Sequence, residues 1–263
     1  MSNFPDLTGK KIVVTGANGV IGRWIVQAFA EAGCHVCATD VQPAADTLAT
    51  HPAGLGEHGF AWQADLTSDA SMASLIQEVG RHWGAADVLV NNAGVYPSGF
   101  LLDIPVQEFD RIFSINLRAP FVLTQGLCTQ MVRQGVKGSV INISSGASRK
   151  MRRTVVPYCT SKTALDRLTK GFAIELAEFG IRVNALEPGF APGSAVSELT
   201  PTHVQKTEAA IPMGRSASYT DVRNGLHYLA SVASAYMTGG TITLDGGNSI
   251  GSMDVHQAKK TPL

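Results

Sequence analysis

Apolar residues recur along the chain with two periods. Short runs rich in β-branched and apolar residues, at 11–15, 35–40, 60–64, 87–90, 138–143, 181–186 and 241–244, predict strands. Between them apolar residues return every three or four positions and predict helices. One spans 20–32, with Ile21, Ile25, Ala28 and Phe29 on one face; another spans 68–82, with Met72, Leu75, Ile76 and Val79 together. Further helices are predicted over 105–134, 157–179 and 219–231, and Pro120 is expected to bend the first of these. Gly33 and Gly180 stand where helix-ending glycines belong. The pattern fades over 41–59, where Pro43, Pro52, Gly54, Gly56 and Gly59 leave room for one short helix, and over 190–218, a looser segment of short helices.

Strand and helix alternate from end to end, with no repeat, linker or low-complexity tract. The alternation predicts an α/β fold, a doubly wound parallel sheet of about seven strands with helices on both faces. A single domain is expected over 1–263, with its core at about 7–248 and a lid at about 190–218. In such sheets ligands bind at the carboxyl ends of the strands. The Gly16–Gly22 turn, Asp40, Asp65, Asn92, Ser145 and Pro188-Gly189 all fall at predicted strand ends, which argues for one shared site.

Composition removes several function classes. Apolar residues make up 44% of the 263, enough for a substantial core. Charged residues are only 16%, against roughly 25% in ordinary soluble domains, which hints at surface hidden in an oligomer. A formal net charge of zero provides no field toward nucleic acid or anionic membrane, so neither is an expected partner. No apolar run reaches the ~18 residues that span a bilayer. The first residues lack the basic start and apolar stretch of a signal peptide, so a cytoplasmic location is expected. Cys34 and Cys37 spell C-x-x-C, but their odd offset around a strand points them to opposite faces, against redox or metal pairing. The seven histidines are scattered with no i, i+4 pair, and no metal site is expected.

The chemistry begins at two stretches. Glycines at 16, 19 and 22 let backbone N–H groups approach a pyrophosphate where the following helix starts. Asp40 lies 18 residues beyond Gly22, near the ~20 at which an acid meets a ribose 2′-OH. A carboxylate there repels a 2′-phosphate, and no basic residue stands at Ala17, Asn18, Gly19 or Val41 to offset it. Arg23 is the nearest cation. The expected cofactor is therefore NAD. A second G-x-G-x-x-G, at 54–59, neither follows a strand nor opens an amphipathic helix and reads as a loop. The other stretch is Pro157 to Lys162. Tyr158 and Lys162 are four apart, hence on one helix face, and Pro157 suits a first helical turn. A nearby ammonium favours the phenolate, so the pair is suited to moving a proton on or off an alcohol oxygen. Taken alone, such a pair is weak evidence, since it more often decorates a surface helix.

Together, Thr15-Gly-x-x-Gly-x-x-Gly22, Asn91-Asn-Ala-Gly94, Asn116, Ser145, Tyr158-x-x-x-Lys162 and Pro188-Gly189 resemble a short-chain dehydrogenase/reductase of the shorter, single-domain branch. The resemblance implies a Rossmann-like fold and a set of roles. Tyr158 would be the general acid/base, with Lys162 lowering its pKa and holding the nicotinamide ribose. Ser145, 13 residues before the tyrosine, would bond the substrate oxygen, while Ser144 points the other way. Asn116 would kink its helix and hold a water in a proton relay. The implied cofactor surface runs over Gly16, Asn18, Gly19, Val20, Ile21 and Gly22, then Asp40, Val41, Asp65, Leu66, Asn92, Ala93 and Gly94. Tyr158, Lys162, Pro188, Gly189 and Ala191 complete it. Family members are usually homotetramers.

Two features depart from that pattern. The middle glycine of the turn is at Gly19 rather than at Val20, a spacing like that of the extended branch, which often modifies nucleotide sugars. The hydroxyl that often follows Pro-Gly by four positions is replaced by Gly193, with Ser194 next. The basic residues Arg149, Lys150, Arg152 and Arg153 border the pocket implied by the resemblance. They are suited to a carboxylate, phosphate or sulfonate, or else to solvent or a neighbouring subunit. The expected activity is NAD-dependent interconversion of a secondary alcohol and a ketone, the small-molecule substrate being anionic if that loop binds it. The alternatives are a nucleotide-sugar epimerase or dehydratase and a non-catalytic NAD(H) sensor.

Overall fold

In the computed structural model, which describes residues 4–43, 54–193 and 199–251, seven strands alternate with helices. The strands are β1 (Lys11–Thr15), β2 (His35–Asp40), β3 (Phe60–Gln63), β4 (Val88–Asn91), β5 (Ser139–Ile143), β6 (Arg182–Pro188) and β7 (Thr241–Leu244). They form one sheet in the order β3-β2-β1-β4-β5-β6-β7, every neighbouring pair parallel. The predicted strands are met within a residue or two. The chain reverses its direction of travel across the sheet between β1 and β4, where such sheets open a crevice.

Alternation along the strands builds two cores. Ile12 and Val14 of β1, with Val36, Val90 and Ile141, face helices α1 (Val20–Glu31) and α7 (Tyr219–Ala230). Val13, Cys37, Leu89 and Val140 face α2 (Asp69–Trp83), α4 (Ala119–Gln134) and α5 (Val156–Leu176). The sheet separates Cys34 from Cys37, which belong to different cores. Helices α3 (Val106–Phe113) and α6 (Pro201–Ala210) complete the described set. Buried amides also stitch the second core. Asn91 Nδ2 donates to Thr124 Oγ1 (3.2 Å) and to Asn142 Oδ1 (2.8 Å), and Asn142 Nδ2 donates to Thr169 Oγ1 (2.8 Å). This ties β4 and β5 to α4 and α5.

The long helix predicted over 105–134 is interrupted, but upstream of Pro120. Residues Ser114–Arg118 adopt a π-helical turn, in which the Ala119 N–H reaches the Ser114 carbonyl. Pro120 has no N–H to offer the Asn116 carbonyl four residues back, so the regular ladder fails before the proline, which itself sits in the first turn of α4. The helix of Tyr158 starts as expected, with Pro157 in its first turn. It tightens to a 3-10 turn at Ala177–Phe179, and Gly180 ends it at φ 71°. The G-x-G-x-x-G at 54–59 is a set of turns. Gly56 packs on the Cys34 carbonyl, beside the start of β2 and so at the opposite sheet edge from the first glycine turn. The short helix expected within 41–59 and the residue Ser194 lie outside the described residues.

Candidate active site

All strands are parallel, so their carboxyl ends share one edge, and the predicted site residues gather there. The turn from β1 into α1 is closed tightly on itself. A Cβ at Gly22 would collide with the Gly16 carbonyl oxygen, and one at Gly16, whose φ is +65°, would lie 2.7 Å from Ala93 Cα. Gly19 caps α1 with no side-chain hydrogen bond, and a Cβ there would meet only the Gly16 oxygen, at 3.5 Å. The first-turn N–H groups of α1 thus keep an open approach, as a pyrophosphate needs. Val20 opens the helix beside it. Thr15 secures this turn to the end of β4: its Oγ1 accepts the N–H groups of Asn92 and Ala93, both at 3.0 Å. Asn92 Nδ2 answers by donating to the carbonyls of Thr15 (2.9 Å) and Gly16 (3.0 Å). The Asn92 side chain is therefore committed to the scaffold.

Asp40 ends β2 and accepts the N–H of Asn18 (3.0 Å) and of Gln42 (3.2 Å), which fixes a carboxylate beside the glycine turn. Val41 and Arg23 are exposed. Asp65 turns toward the start of α2, where Oδ1 accepts the Thr67 N–H (2.8 Å) and hydroxyl (2.7 Å), bonds that lower its pKa; Leu66 packs on the second core. Gly189 donates its N–H to the Leu244 carbonyl (2.9 Å) and packs on Asp245, carrying Pro188, Gly189 and Ala191 along the same edge.

Ser144 and Ser145 diverge at the end of β5. Ser144 Oγ donates to Asp166 Oδ1 at 2.5 Å, whereas the Ser145 side chain faces Tyr158 and accepts the Ala147 N–H at 3.2 Å. Lys162 is only 4% exposed, and its Nζ donates to the Ile143 carbonyl at 2.7 Å. The ammonium lies 5.8 Å from the centre of the Tyr158 ring. Burial drives the lysine pKa down from 10.5 to about 8, with the carboxylate of Asp166 acting in the opposite sense. Burial also raises the Tyr158 phenol above its ordinary value, against the lowering expected from the Lys162 spacing. A hydrogen bond from Ser145 and the charge of Arg152 offset part of that rise. Gly94 leaves the space in front: a Cβ there would lie 3.6 Å from Lys162 Nζ. The fully buried Asn116 stands in the π turn. Its amide accepts the Val95 N–H and donates to the Val95 carbonyl, both at 2.9 Å, and donates to Ser161 Oγ at 3.0 Å.

The glycine turn, the Asp40 carboxylate and the gap at Gly94 fit a dinucleotide laid from α1 to Lys162. Sequence reasoning passed over Tyr96, whose ring centre lies 5.8 Å from that of Tyr158, and the support given by Ser161 and Asp166. Asp166 left one local signal, its i, i+4 spacing from Lys162; Tyr96 left none.

Comparison with known proteins agrees. A family model described as enoyl-(acyl carrier protein) reductase matches residues 16–249. Galactitol 2-dehydrogenase of Agrobacterium fabrum is 32% identical over 254 residues, covering 92% of this chain and 98% of the relative. The 3-oxoacyl-[acyl-carrier-protein] reductase FabG of Staphylococcus aureus is 34% identical over 240 residues, covering 90% and 97%. Among solved structures, the Pseudomonas aeruginosa RhlG/NADP active-site complex is 32% identical with a TM-score of 0.87, covering 95% of this chain and all of the other. The family model runs from the glycine turn past the Tyr158 helix, the relatives cover nine-tenths or more of the chain, and the chain belongs to the short-chain dehydrogenase/reductase family.

Proposed function

We propose that the protein oxidises a secondary alcohol to a ketone, or runs the reverse, with NAD as hydride partner and Tyr158 as the proton-transferring group. The observation that carries this reading is the juxtaposition of Ser145, Tyr158 and the buried Lys162 at the carboxyl edge of the sheet, in front of the gap at Gly94. Oxidised nicotinamide supplies the hydride acceptor. The chain supplies the rest. Ser145 holds the substrate oxygen against Tyr158, the phenolate takes the hydroxyl proton, and Lys162 favours that phenolate. Asn116 fixes the backbone at Val95 and so the wall opposite Tyr158. A bound water at its π turn would pass the proton onward.

NAD rather than NADP rests on the fixed carboxylate of Asp40 and the exposed position of Arg23; the related RhlG structure holds NADP. The epimerase reading rested on the Gly19 spacing, whereas the relatives named above are a dehydrogenase and a reductase. A mere sensor of NAD(H) would have no use for the proton-moving triad.

The test follows nicotinamide absorbance with NAD⁺ and with NADP⁺ over a panel of secondary alcohols, with Tyr158→Phe alongside. Turnover in the wild type with NAD⁺, lowered at least about 100-fold in the variant while NADH affinity holds, is the expected result. Activity in Tyr158→Phe equal to wild type would refute the mechanism, and a preference for NADP⁺ would refute the role of Asp40.

A further inference from the structure

The four cations between Ser145 and Tyr158 have different surroundings. Arg149 is committed to the scaffold: its Nη2 donates to the buried Glu187 (2.5 Å), to Thr243 Oγ1 (3.1 Å) and to Ser249 Oγ (2.8 Å). The Arg153 guanidinium lies over the Phe100 ring, 5.1 Å from its centre. Lys150 and Arg152 are exposed, and among the described residues neither side chain has a hydrogen-bond or ion-pair partner. Of these two, Arg152 is the one whose charge is felt at the Tyr158 hydroxyl.

The backbone holds Arg152 at the rim of the site from two sides. The Val155 N–H donates to its carbonyl at 3.4 Å, closing a turn that leads straight into the helix of Tyr158. Within that turn Thr154 takes a left-handed conformation (φ 69°), and its carbonyl accepts the Gly99 N–H at 2.8 Å. Gly99 belongs to the stretch that carries Tyr96, the aromatic neighbour of Tyr158. The two loops that flank the phenol are therefore joined, and Arg152 lies two residues from their junction with its side chain exposed.

We propose that Arg152 recognises a carboxylate on the substrate, and that the protein acts on a secondary hydroxyl of a hydroxy acid. This rests on the alcohol-oxidising reading above and names its substrate class. A guanidinium presents two parallel N–H donors that match a carboxylate, and a neutral polyol of equal length has no anion to receive them. In the oxidation the carbinol C–H leaves as hydride to the nicotinamide, the O–H proton goes to Tyr158, and the carbon becomes a ketone. The carboxylate is unchanged and serves to choose which carbon reaches Tyr158.

The experiment compares kcat/KM for D-gluconate, D-galactonate and 3-hydroxybutyrate with that for their neutral counterparts, D-glucitol, galactitol and 2-butanol. Wild type, Arg152→Gln and Arg152→Lys are measured, with Lys150→Gln as the control for a general loss of positive charge. The acid-to-neutral ratio is expected to favour acids in the wild type. It should fall roughly 10- to 100-fold in Arg152→Gln, be partly kept in Arg152→Lys and be kept in Lys150→Gln. A wild type that favours the neutral compounds, or a ratio unmoved in Arg152→Gln, overturns the proposal and leaves alcohol oxidation standing. Should the wild type oxidise none of them, the oxidation reading fails for this panel, and calorimetry of the acids on Tyr158→Phe with NADH still decides the recognition. Acid affinity lost on adding Arg152→Gln supports it, and affinity absent or unchanged overturns it.

Discussion

Lys162 is a charged side chain almost sealed from water, with the Ile143 carbonyl bonded to its ammonium and a half-buried carboxylate one helical turn away. Its proton is held more loosely in the folded chain, at about 8, than in the unfolded chain, at 10.5. Between those values the unfolded state binds more protons, so this residue makes stability rise with pH; below about 8 its burial cost, about 3 kcal/mol, acts in full. Urea unfolding of the wild type and Lys162→Met from pH 7.5 to 10 should show the wild type gaining on the variant by about 2 kcal/mol. A constant difference across that range would show that the lysine is not so buried. Titrating cysteines contribute equally to both proteins. The spacing of Tyr158 and Lys162 was legible in the sequence. The sign of the phenol shift was not, because it depends on how much chain packs around the ring, and spacing carries no information about that.

The ion pair between Arg149 and Glu187 works between elements. It fastens the loop after β5 to the end of β6, and Thr243 Oγ1 of β7 donates to the same carboxylate at 2.8 Å. Glu187 is fully buried, so removing its partner leaves a carboxylate with no counter-ion beside it, held by the Ser148 and Thr243 hydroxyls. Arg149→Ala is expected to lower stability by about 3 kcal/mol and Tm by roughly 6–12 °C. Adding Glu187→Gln should return part of the loss. A single variant that melts within a degree of wild type would show the pair to be dispensable. Local sequence placed Arg149 among the pocket-bordering cations, since its partner lies 38 residues further along the chain. The interrupted long helix shows the same limit. Pro120 signalled an irregularity, but the strain is relieved upstream, at the π turn that carries Asn116.

Across the whole molecule, the alternation of strand and helix was enough to predict a parallel sheet, and the strand ends were enough to predict one site. The strand order was not legible, because it is set by which faces pack and not by any local pattern. The exposed apolar residues suggest what the low charge content implied. Phe121 and Val132 on α4 and Ile174 on α5, the last 79% exposed, line the outside of the two long helices. A homotetramer of 27.7 kDa chains is expected by light scattering, and Ile174→Glu should shift it toward smaller species. A monomer at micromolar concentration would refute that assembly. The sheet has one more consequence, for how the protein folds. Parallel neighbours cannot be joined by a hairpin, and β1 pairs with the central strand β4 across more than seventy residues of chain. Contacts of such long range form slowly, since the entropy of closing large loops is lost before the contacts are gained. The residues around Tyr158 come from loops that meet only once β1, β4, β5 and β6 lie side by side. No early partly ordered chain contains the site, so on refolding the return of catalysis should lag behind the return of helix.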